Sequence, residues 1–421
     1  MKKLVIEGKK SLKGVLSVSG AKNSAVALIP ASILTNGKCI IKNVPNISDV
    51  NSLIEMMEYL GSEIKYTDDT IYIDNKNVRN EIIGENHSKK MRASYYFMGS
   101  LLSRFGKAQI CFPGGCVIGE RPIDYHIAGF EKLGSCVSIR GGNTYVISAE
   151  TLTGTDIILD KASVGATLNL MFASVKAKGT TNIINAAREP EIINVADFLI
   201  SMGAKITGAG TSKIVIEGVK ELGDGEISVI PDRIEAGTFA IMGALLGDNL
   251  TIKGIEKNHL TALFKKLKEA GCTFKISKDE LKISKSDKLN SINIKTDVYP
   301  AFPTDLGQPM STFLTQCKGI SIFEETIYEN RMRHIKYLNY MGAKIKLKDR
   351  VATIKGPTKL TGKDVEATDL RAGAAMLVAG MIASGTTTIT NIEHILRGYE
   401  NIVEKLSSVG ASIKLVDEKE F

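Results

Sequence analysis

Apolar and polar positions between residues 21 and 44 predict a buried helix followed by a strand. Residues 21–35 are apolar enough for a helix with no solvent-facing side, and Gly37 stands where a C-cap glycine is expected. Residues 38–44 have the composition of a strand.

The next segment predicts an amphipathic helix and a hairpin. Ser48 is the expected N-cap of this helix, and Gly61 is expected to end it. Its apolar face carries residues at helical spacing, namely Val50, Leu53, Ile54, Met57 and Leu60. Residues 63–65 and 70–73 then flank Asp68-Asp69, which predicts two strands joined by a turn.

This pattern recurs six times. Glycines that end the amphipathic helix recur every 68 to 73 residues, at Gly61, Gly134, Gly203, Gly271, Gly342 and Gly410. A second glycine precedes each of them by 23 to 28 residues, at Gly37, Gly106, Gly179, Gly247, Gly319 and Gly385. Two markers in phase predict six units of helix, strand, helix and two strands, with a further strand before the first helix. The chain is therefore expected to be an α/β protein, and in 421 residues three units per domain is the simplest partition, with a boundary near residues 229–231.

Charged residues stand at equivalent places in the six units. Before the first helix these are Lys22, Arg92, Lys161, Arg233, Asp305 and Arg371. Before the second helix they are Asp49, Arg121, Arg188, Arg331 and Arg397. Positive side chains beside helix N-termini favour anion binding, and several arginines together suit a ligand with carboxylate and phosphate groups. Asp305 is the one acid in the first set, and cations would keep it ionised and able to accept a proton.

The second unit contains four extra residues, which fall in the Gly-rich segment 113–122. A loop of unusual length in a repeat protein is often functional. Cys116 lies in it, five residues before Arg121, where positive charge would favour a thiolate. An inert thiol is an equally good interpretation of Cys116 at this point, and it is the preferred one for Cys39, Cys111, Cys136, Cys272 and Cys317.

Composition limits the partners and the compartment. The net charge of +8 favours anionic ligands, but there is no Trp and no basic tract, which argues against nucleic acid. No apolar stretch is long enough to span a bilayer, and residues 1–8 have too short an apolar run for a signal peptide. Six cysteines without a metal-type spacing are expected to be reduced thiols, so the sequence predicts a cytoplasmic protein.

Three further residues have a structural and a functional interpretation. His126 could act as an acid or a base, but a structural hydrogen bond is the preferred role. Glu189 and Glu191 are interpreted as neutralising neighbouring arginines.

The sequence contains no P-loop or complete dinucleotide-binding motif.

A set of spaced motifs resembles the UDP-N-acetylglucosamine 1-carboxyvinyltransferases of the enolpyruvyl transferase family. The motifs are Ser19-Gly20-Ala21-Lys22-Asn23, Met91-Arg92-Ala93-Ser94, Pro113-Gly114-Gly115-Cys116, Gly119-Glu120-Arg121-Pro122, Ala187-Arg188-Glu189-Pro190-Glu191, Pro231-Asp232-Arg233-Ile234-Glu235, Phe302-Pro303-Thr304-Asp305, Glu329-Asn330-Arg331, Ala367-Thr368-Asp369-Leu370-Arg371 and Arg397-Gly398-Tyr399-Glu400. They extend from the first predicted strand to the end of the chain. One departure is Tyr328, where the family leads us to expect Phe.

The resemblance implies a fold and a reaction. The expected fold is that of the enolpyruvyl transferases, an inside-out α/β barrel of two similar domains with three βαβαββ repeats each and an active site in the interdomain cleft. The expected domains are residues 21–229 and residues 1–20 with 230–421. The implied reaction moves the enolpyruvyl group of phosphoenolpyruvate to the 3′-hydroxyl of UDP-N-acetylglucosamine and releases phosphate, as the first committed step of peptidoglycan synthesis. It implies no metal and no cofactor, and we infer no obligate protein partner from it; the lack of a long apolar stretch argues against membrane insertion.

The resemblance also implies the site residues. Cys116 would be the acid near C3 of phosphoenolpyruvate and could add to it covalently, while Asp305 would be the base for the sugar hydroxyl and Lys22 a third catalytic residue. Phosphoenolpyruvate would be held by Lys22, Asn23, Arg121, Arg331, Arg371 and Arg397. The nucleotide sugar would contact Arg92, Arg121, Pro122, Ile123, Asp124, Tyr125, Lys161, Ala162, Ser163, Val164, Asp305 and Ile327. Two alternatives stay open: a 5-enolpyruvylshikimate-3-phosphate synthase-like transferase, and a non-catalytic polyanion-binding module.

Overall fold

The computed structural model describes residues 2–88, 91–112 and 123–417, and for Arg92 the backbone only. Its strands are β1 Lys2–Glu7, β2 Val15–Ser17, β3 Lys38–Lys42, β4 Glu63–Thr67, β5 Thr70–Asp74, β6 Lys107–Cys111, β7 Cys136–Arg140, β8 Thr144–Ser148, β9 Asp156–Ile158, β10 Thr180–Ile184, β11 Lys205–Thr207, β12 Lys213–Glu217, β13 Gly225–Ser228, β14 Leu250–Lys253, β15 Phe274–Ser277, β16 Glu280–Ile283, β17 Ile294–Lys295, β18 Gly319–Glu324, β19 Lys344–Lys348, β20 Val351–Gly356, β21 Asp364–Glu366, β22 Thr386–Thr390 and β23 Ser412–Asp417.

The helices alternate with these strands. They are α1 Lys22–Ser32, α2 Ser48–Tyr59, α3 Glu85–Ser88, α4 Phe97–Phe105, α5 Asp124–Lys132, α6 Val164–Ser174, α7 Pro190–Ser201, α8 Arg233–Leu246, α9 Thr261–Glu269, α10 Thr304–Leu314, α11 Ile335–Tyr340, α12 Leu370–Ile382, α13 Glu393–Leu396 and α14 Ile402–Ser408, with 3₁₀ helices at Arg92–Tyr96 and Lys257–Leu260. Within the described ranges, each helix is too short or too polar to reach across a lipid bilayer.

The described residues divide into two compact units. The N-terminal unit contains residues 20–112 and 123–230 apart from 89–90, and the C-terminal unit contains residues 2–19 and 231–417. Each has its own hydrophobic core. Phe172 and Phe198 are fully buried in the first core, and Phe239 and Phe313 are fully buried in the second.

Each unit has helices inside and sheets outside. In the C-terminal unit α8, α10 and α12 contact one another, and nearly all of their residues are buried. A helix that is apolar on all sides must be enclosed by other elements. The strands alternate instead, as in β3, where Cys39 and Ile41 are buried between less buried neighbours. The helices are buried on all sides and the strands on one face, as the predicted enolpyruvyl transferase fold with its inner layer of helices requires.

The strands form six small sheets of one repeated design. A leading strand lies parallel to the strand that follows the first helix, and the hairpin of the unit continues the sheet in antiparallel fashion. The orders are β13-β3-β5-β4, β6-β8-β7 and β9-β10-β12-β11 in the N-terminal unit, and β2-β14-β16-β15, β17-β18-β20-β19 and β21-β22-β1-β23 in the C-terminal unit. In the second sheet the leading strand is reduced to a single parallel bridge between Ile83 and Ile110.

Three strands pair with strands that are distant from them along the chain. β2 precedes α1 but pairs with β14, and β13 precedes α8 but pairs with β3. The repeats that begin with α1 and α8 have therefore exchanged their leading strands. β1 completes the sixth sheet, where Val5 pairs with Thr388 of β22 and Lys414 of β23. The sixth repeat therefore takes its last strand from the start of the chain.

Most of the local predictions for the first repeat are confirmed. The strand, the amphipathic helix and the hairpin lie where the pattern placed them, and Gly61 follows α2 with φ +101°. Two cap predictions are wrong. Ile47, not Ser48, is the N-cap of α2, with Ser48 its first helical residue. α1 ends at Ser32 with Ile33 as its C-cap, so Gly37 lies beyond the cap; a Cβ at Gly37 would lie 2.1 Å from Oδ1 of the Asp224 side chain.

Candidate active site

The charged residues predicted before the first helices lie at helix N-termini. Lys22 and Arg233 are the first residues of α1 and α8, and Asp305 and Arg371 are the second residues of α10 and α12. Lys161 is exposed and lies three residues before α6. Free backbone N–H groups at such helix starts attract anions, so the first turns of these helices favour negatively charged ligands.

Asp305 lies between two buried arginines in the C-terminal unit. Its Oδ1 accepts a hydrogen bond from Arg331 Nη2 at 2.6 Å, and its Oδ2 accepts one from Arg371 Nη2 at 2.9 Å. The Asp305 side chain is 22% exposed, whereas both arginine side chains are 4% exposed. Burial alone would raise the pKa of Asp305, but the charges of Arg371 and Arg331 outweigh it and hold this pKa well below its usual range.

Neighbouring side chains fix these two arginines. Gln308 Nε2 donates to the Arg331 carbonyl at 3.0 Å and lies 3.3 Å from Asp369 Oδ2. Asp369 caps α12, because its Oδ1 accepts from the N–H groups of Arg371 at 2.9 Å and Ala372 at 3.0 Å. Contacts within the protein hold both arginines in place, which is the preorganisation that charge stabilisation requires.

Aromatic rings lie beside the same arginines. The Arg331 guanidinium carbon is 5.1 Å from the centre of the Tyr328 ring, and that of Arg371 is 5.9 Å from the Tyr399 ring. Tyr399 is buried, and its hydroxyl lies 2.9 Å from Thr238 Oγ1. Tyr328, the departure from the family pattern, therefore contacts an arginine of the cluster.

A buried ion pair, which was not predicted from the sequence, holds Ser19, the last residue before the chain enters the N-terminal unit. Lys405 Nζ donates to Glu235 Oε1 at 2.8 Å and to Ser19 Oγ at 2.6 Å. The Ser19 N–H donates to Glu235 Oε2 at 2.6 Å, and its hydroxyl donates to Glu400. Burial raises the pKa of Glu235 to about 7, and Lys405 opposes this rise. The network joins three segments that also carry Lys22, Arg233 and Arg397. Partners so far apart in the chain leave no local pattern.

Lys22 and Asn23 lie in the N-terminal unit, at the first turn of α1. Lys22 Nζ is 2.9 Å from Asp49 Oδ2, with 16% and 5% of the two side chains exposed. Asn23 Nδ2 lies 3.5 Å from Glu191 Oε1. Asp49 and Glu191, themselves at the starts of α2 and α7, thus orient the two residues expected to hold phosphoenolpyruvate.

The expected nucleotide-sugar residues of this unit lie at two other helix starts. Ile123 is buried before α5, which begins with Asp124 and Tyr125. Ser163 caps α6 by accepting from the Ala166 N–H at 3.3 Å, and the neighbouring Ala162 and Val164 are partly buried. These positions share the helix-start geometry of Lys22 and Asp305.

His126 has the structural role that the sequence favoured. Its ring is buried, and its Nδ1 lies 2.9 Å from Asn169 Nδ2. Asn169 also contacts the Tyr95 carbonyl at 3.1 Å and accepts from the Gly99 N–H at 2.8 Å. The ring therefore belongs to a hydrogen-bonded core network.

The remaining expected site residues are described in part. Ile327 contacts buried Glu325, which accepts from its N–H at 2.8 Å. Arg397 follows α13 and is partly buried, while Arg188 is exposed before α7. Cys116, Arg121, Pro122 and the side chain of Arg92 are outside the described residues. Within the described residues there is no group of three or more His, Cys, Asp and Glu side chains suited to a metal ion.

Comparison with known proteins decides the family. A family model described as EPSP synthase (3-phosphoshikimate 1-carboxyvinyltransferase) matches residues 6–406. The chain belongs to the EPSP synthase family of enolpyruvyl transferases. Among its relatives, UDP-N-acetylglucosamine 1-carboxyvinyltransferase 2 of Listeria innocua is 49% identical over 98% of this chain and 97% of its own length. The protein of the same name from Bacillus cereus strain ATCC 14579 is 49% identical over 98% and 96%.

Solved structures of the family share the fold. The enolpyruvyl transferase NikO from Streptomyces tendae is 26% identical, has a TM-score of 0.90, and the match covers 99% of each chain. EPSP synthase from Acinetobacter baumannii is 18% identical with a TM-score of 0.75, over 99% of this chain and 100% of its own, which shows the fold alone. The fold class and the family expected from the sequence are confirmed.

Proposed function

We propose that this family member transfers the enolpyruvyl group of phosphoenolpyruvate to the 3′-hydroxyl of UDP-N-acetylglucosamine, as the first committed step of peptidoglycan synthesis. The observation that carries the proposal is the 49% identity, over nearly the whole chain, to relatives named for this activity. The ionised Asp305 between Arg331 and Arg371 supports it, because this chemistry needs a base beside cations.

The proposed reaction is an addition followed by an elimination. The sugar hydroxyl oxygen bonds to C2 of phosphoenolpyruvate, Asp305 accepts the hydroxyl proton, and Cys116 delivers a proton to C3. In the resulting ketal a C3 proton is then withdrawn and the bond from C2 to the phosphate oxygen breaks, which releases phosphate. Lys22, Arg121 and Arg397 would stabilise the departing phosphate, with Asn23 beside them.

The pairing around Asp305 gives this carboxylate a way to become more basic. Arg331 and Arg371 are the proposed ligands of the phosphoenolpyruvate carboxylate. Both arginines lower the pKa of Asp305. If they shared their charge with the substrate, they would stabilise the ionised form of Asp305 less strongly, and its pKa would rise. Proton transfer from the sugar hydroxyl would then be favoured only after the donor substrate is bound.

The remaining assignments follow the family pattern as proposals. Residues 21–229 would form one domain, and residues 1–20 with 230–421 the other, with the active site in the cleft between them. The sugar nucleotide would contact Arg92, Arg121, Pro122, Ile123, Asp124, Tyr125, Lys161, Ala162, Ser163, Val164, Asp305 and Ile327. The proposed compartment is the cytoplasm, where thiols such as Cys39 and Cys272 stay reduced.

Phosphate release tests the acceptor and the two proton-transfer residues. With phosphoenolpyruvate, we expect phosphate release with UDP-N-acetylglucosamine and none with shikimate 3-phosphate. Asp305→Asn and Cys116→Ala should each lower kcat by about 100-fold or more. The matched controls Asp287→Asn and Cys136→Ala change exposed residues and should keep activity within about twofold. Equal activity with shikimate 3-phosphate, or full activity of either site variant, would contradict the proposal.

The epoxide antibiotic fosfomycin provides a separate test of Cys116. We expect loss of activity and one adduct, whose mass maps to the peptide that contains Cys116. Cys136 is the internal control, since it is exposed and its position in the sequence is outside the Gly-rich segment 113–122. Full activity after treatment, or an adduct on Cys136 alone, would show that Cys116 is not the reactive thiol.

A further inference from the structure

The C-terminal unit contains a cavity of about 610 Å³ whose lining includes none of the proposed site residues. It lies where α11 and the turn before it meet β19, β21 and α13. The lining residues are Met332, Arg333, Ile335, Lys336, Asn339, Leu347, Glu366, Thr368 and His394. This volume is within the range of small-molecule sites.

The lining combines positive charge with an apolar wall. Arg333 and Lys336 are exposed cations, and the imidazole of His394 is a further nitrogen donor or acceptor. Met332 and Ile335 are buried beside them, and Leu347 is 45% exposed. A ligand with an anionic group and a small apolar body would match both parts.

Glu366, the acid in this lining, already has partners for both oxygens. Its Oε2 accepts from the Tyr337 hydroxyl at 2.6 Å, and its Oε1 accepts from Asn391 Nδ2 at 2.6 Å. Its negative charge is therefore stabilised from within the protein rather than left for a cation. Thr368 Oγ1, by contrast, is buried and has no hydrogen-bond partner among the described residues.

The residues that line the cavity are close in sequence to proposed site residues. Met332 follows Arg331, Thr368 is three residues before Arg371, and His394 is three residues before Arg397. Gln308 joins two of these segments, through the Arg331 carbonyl and Asp369. The segments that line the cavity are thus the segments that hold three proposed ligands of phosphoenolpyruvate.

We propose that this cavity is an effector site for a small organic anion, a phosphate or carboxylate on an apolar body, and that its occupant weakens the binding of phosphoenolpyruvate. The second part rests on the proposed function. A negative charge held by Arg333 and Lys336 opposes a second anion on the neighbouring segment, and the coupling must be reciprocal. The effect is therefore a higher KM for phosphoenolpyruvate when the cavity is occupied.

Binding is tested with phenyl phosphate and benzoate as probes and phenol as the neutral control. The readout is the ring resonance of His394 in ¹³C-histidine-labelled protein, assigned by its loss in His394→Gln among the five histidines. We expect a saturable shift with one or both anions at concentrations up to about 10 mM and none with phenol. The anion that gives the tighter curve identifies the headgroup. No saturable shift with either anion, or an equal one with phenol, would overturn the proposal.

Variants separate this cavity from the proposed active site, where the anions could also bind. The double variant Arg333→Gln with Lys336→Gln should weaken the His394 response about fivefold or more, whereas Lys282→Gln, an exposed cation of the same unit, should not change it. A response unchanged in the double variant would place the probe elsewhere and contradict the site.

Kinetics test the coupling. The better anion should raise the KM for phosphoenolpyruvate in the wild type, and this inhibition should be lost in the double variant while its own kcat and KM stay within about twofold. Inhibition that persists in the double variant would refute the coupling. If wild-type protein releases no phosphate at all, the proposed function fails, but the NMR titration still decides whether the cavity binds anions.

Discussion

At the residue scale, the pKa values of two buried carboxylates in the C-terminal unit are shifted in opposite directions. Asp305 has two guanidinium partners, and its pKa is held well below its usual range in spite of burial. Glu235 is 2% exposed and has one ammonium partner, and burial raises its pKa to about 7. Two contacting arginines outweigh burial at Asp305, whereas one lysine does not outweigh it at Glu235.

Lys405→Met should destabilise the protein, and more at pH 8 than at pH 5. Lys405 lowers the pKa of Glu235, so its removal raises this folded pKa above about 7. Below the unfolded value near 4.5 the carboxyl is protonated in both states and the variant has no added penalty, whereas the penalty grows as the pH rises past about 7. Removing Lys405 leaves Glu235 buried without its cation, so we expect a loss of about 3 kcal/mol in the free energy of unfolding at pH 8. The measurement is urea unfolding at both pH values.

Two further variants control this experiment. Glu235→Gln in the Lys405→Met background should recover most of the loss at pH 8, because no buried charge remains. Lys266→Met removes a more exposed partner of Glu269 and should cost less than about 1 kcal/mol at either pH. An equal loss at pH 5 and pH 8 would mean that Glu235 does not ionise in this range.

At the element scale, the exchange of β2 and β13 depends on close backbone packing where residues 20–21 meet residues 229–230 and Asn43. The Ala21 N–H donates to the Ile230 carbonyl at 2.7 Å, and Asn43 Nδ2 donates to the Val229 carbonyl at 2.8 Å. Gly20 packs directly on Asn43, since a Cβ at Gly20 would lie 1.8 Å from the Asn43 carbonyl oxygen. The start of α1 is thereby fixed to the end of β3.

Gly20→Ala should therefore lower the free energy of unfolding by about 1 to 3 kcal/mol, the usual cost of overpacking. The added methyl group meets backbone, which cannot rotate away as a side chain can. Gly84→Ala is the matched control, because a Cβ there has no neighbour within 4 Å, and it should change stability by less than about 0.5 kcal/mol. Two variants of equal stability would disprove the packing argument.

Element types could be predicted from the sequence because their causes are local. The glycines that end the second helices all have positive φ, from +95° at Gly271 to +109° at Gly342, and glycine adopts such angles without strain. The cap predictions at Ser48 and Gly37 failed because a cap depends on backbone geometry that one residue type does not determine. The partners of Asp305 could not be paired from the sequence, since Arg331 and Arg371 reach it only through tertiary packing.

At the scale of the whole molecule, the order of elements along the chain differs from their division between the two units, at residues 19–20 and at residues 230–231. Residues 2–19 belong to the C-terminal unit although residue 20 begins the other, and β13 belongs to the N-terminal unit although α8 follows it closely. The sixfold pattern predicted the number of repeats, but not that β1 would lie between β22 and β23 in the sixth sheet, because a repeat count does not show which strands pair with each other.

Core substitutions test this partition through native-state hydrogen exchange. Phe313 and Phe198 are fully buried in the C-terminal and N-terminal cores, so Phe→Leu at either should destabilise its own unit by about 1 kcal/mol and speed exchange there about fivefold. Phe313→Leu should act on residues 2–17 and leave 22–42 unchanged, whereas Phe198→Leu should act on 22–42 and on β13 but not on 2–17. Each variant is the control for the other. Exchange in residues 2–17 that follows Phe198→Leu instead would mean that the first strands fold with their neighbours in sequence, and the partition would be wrong.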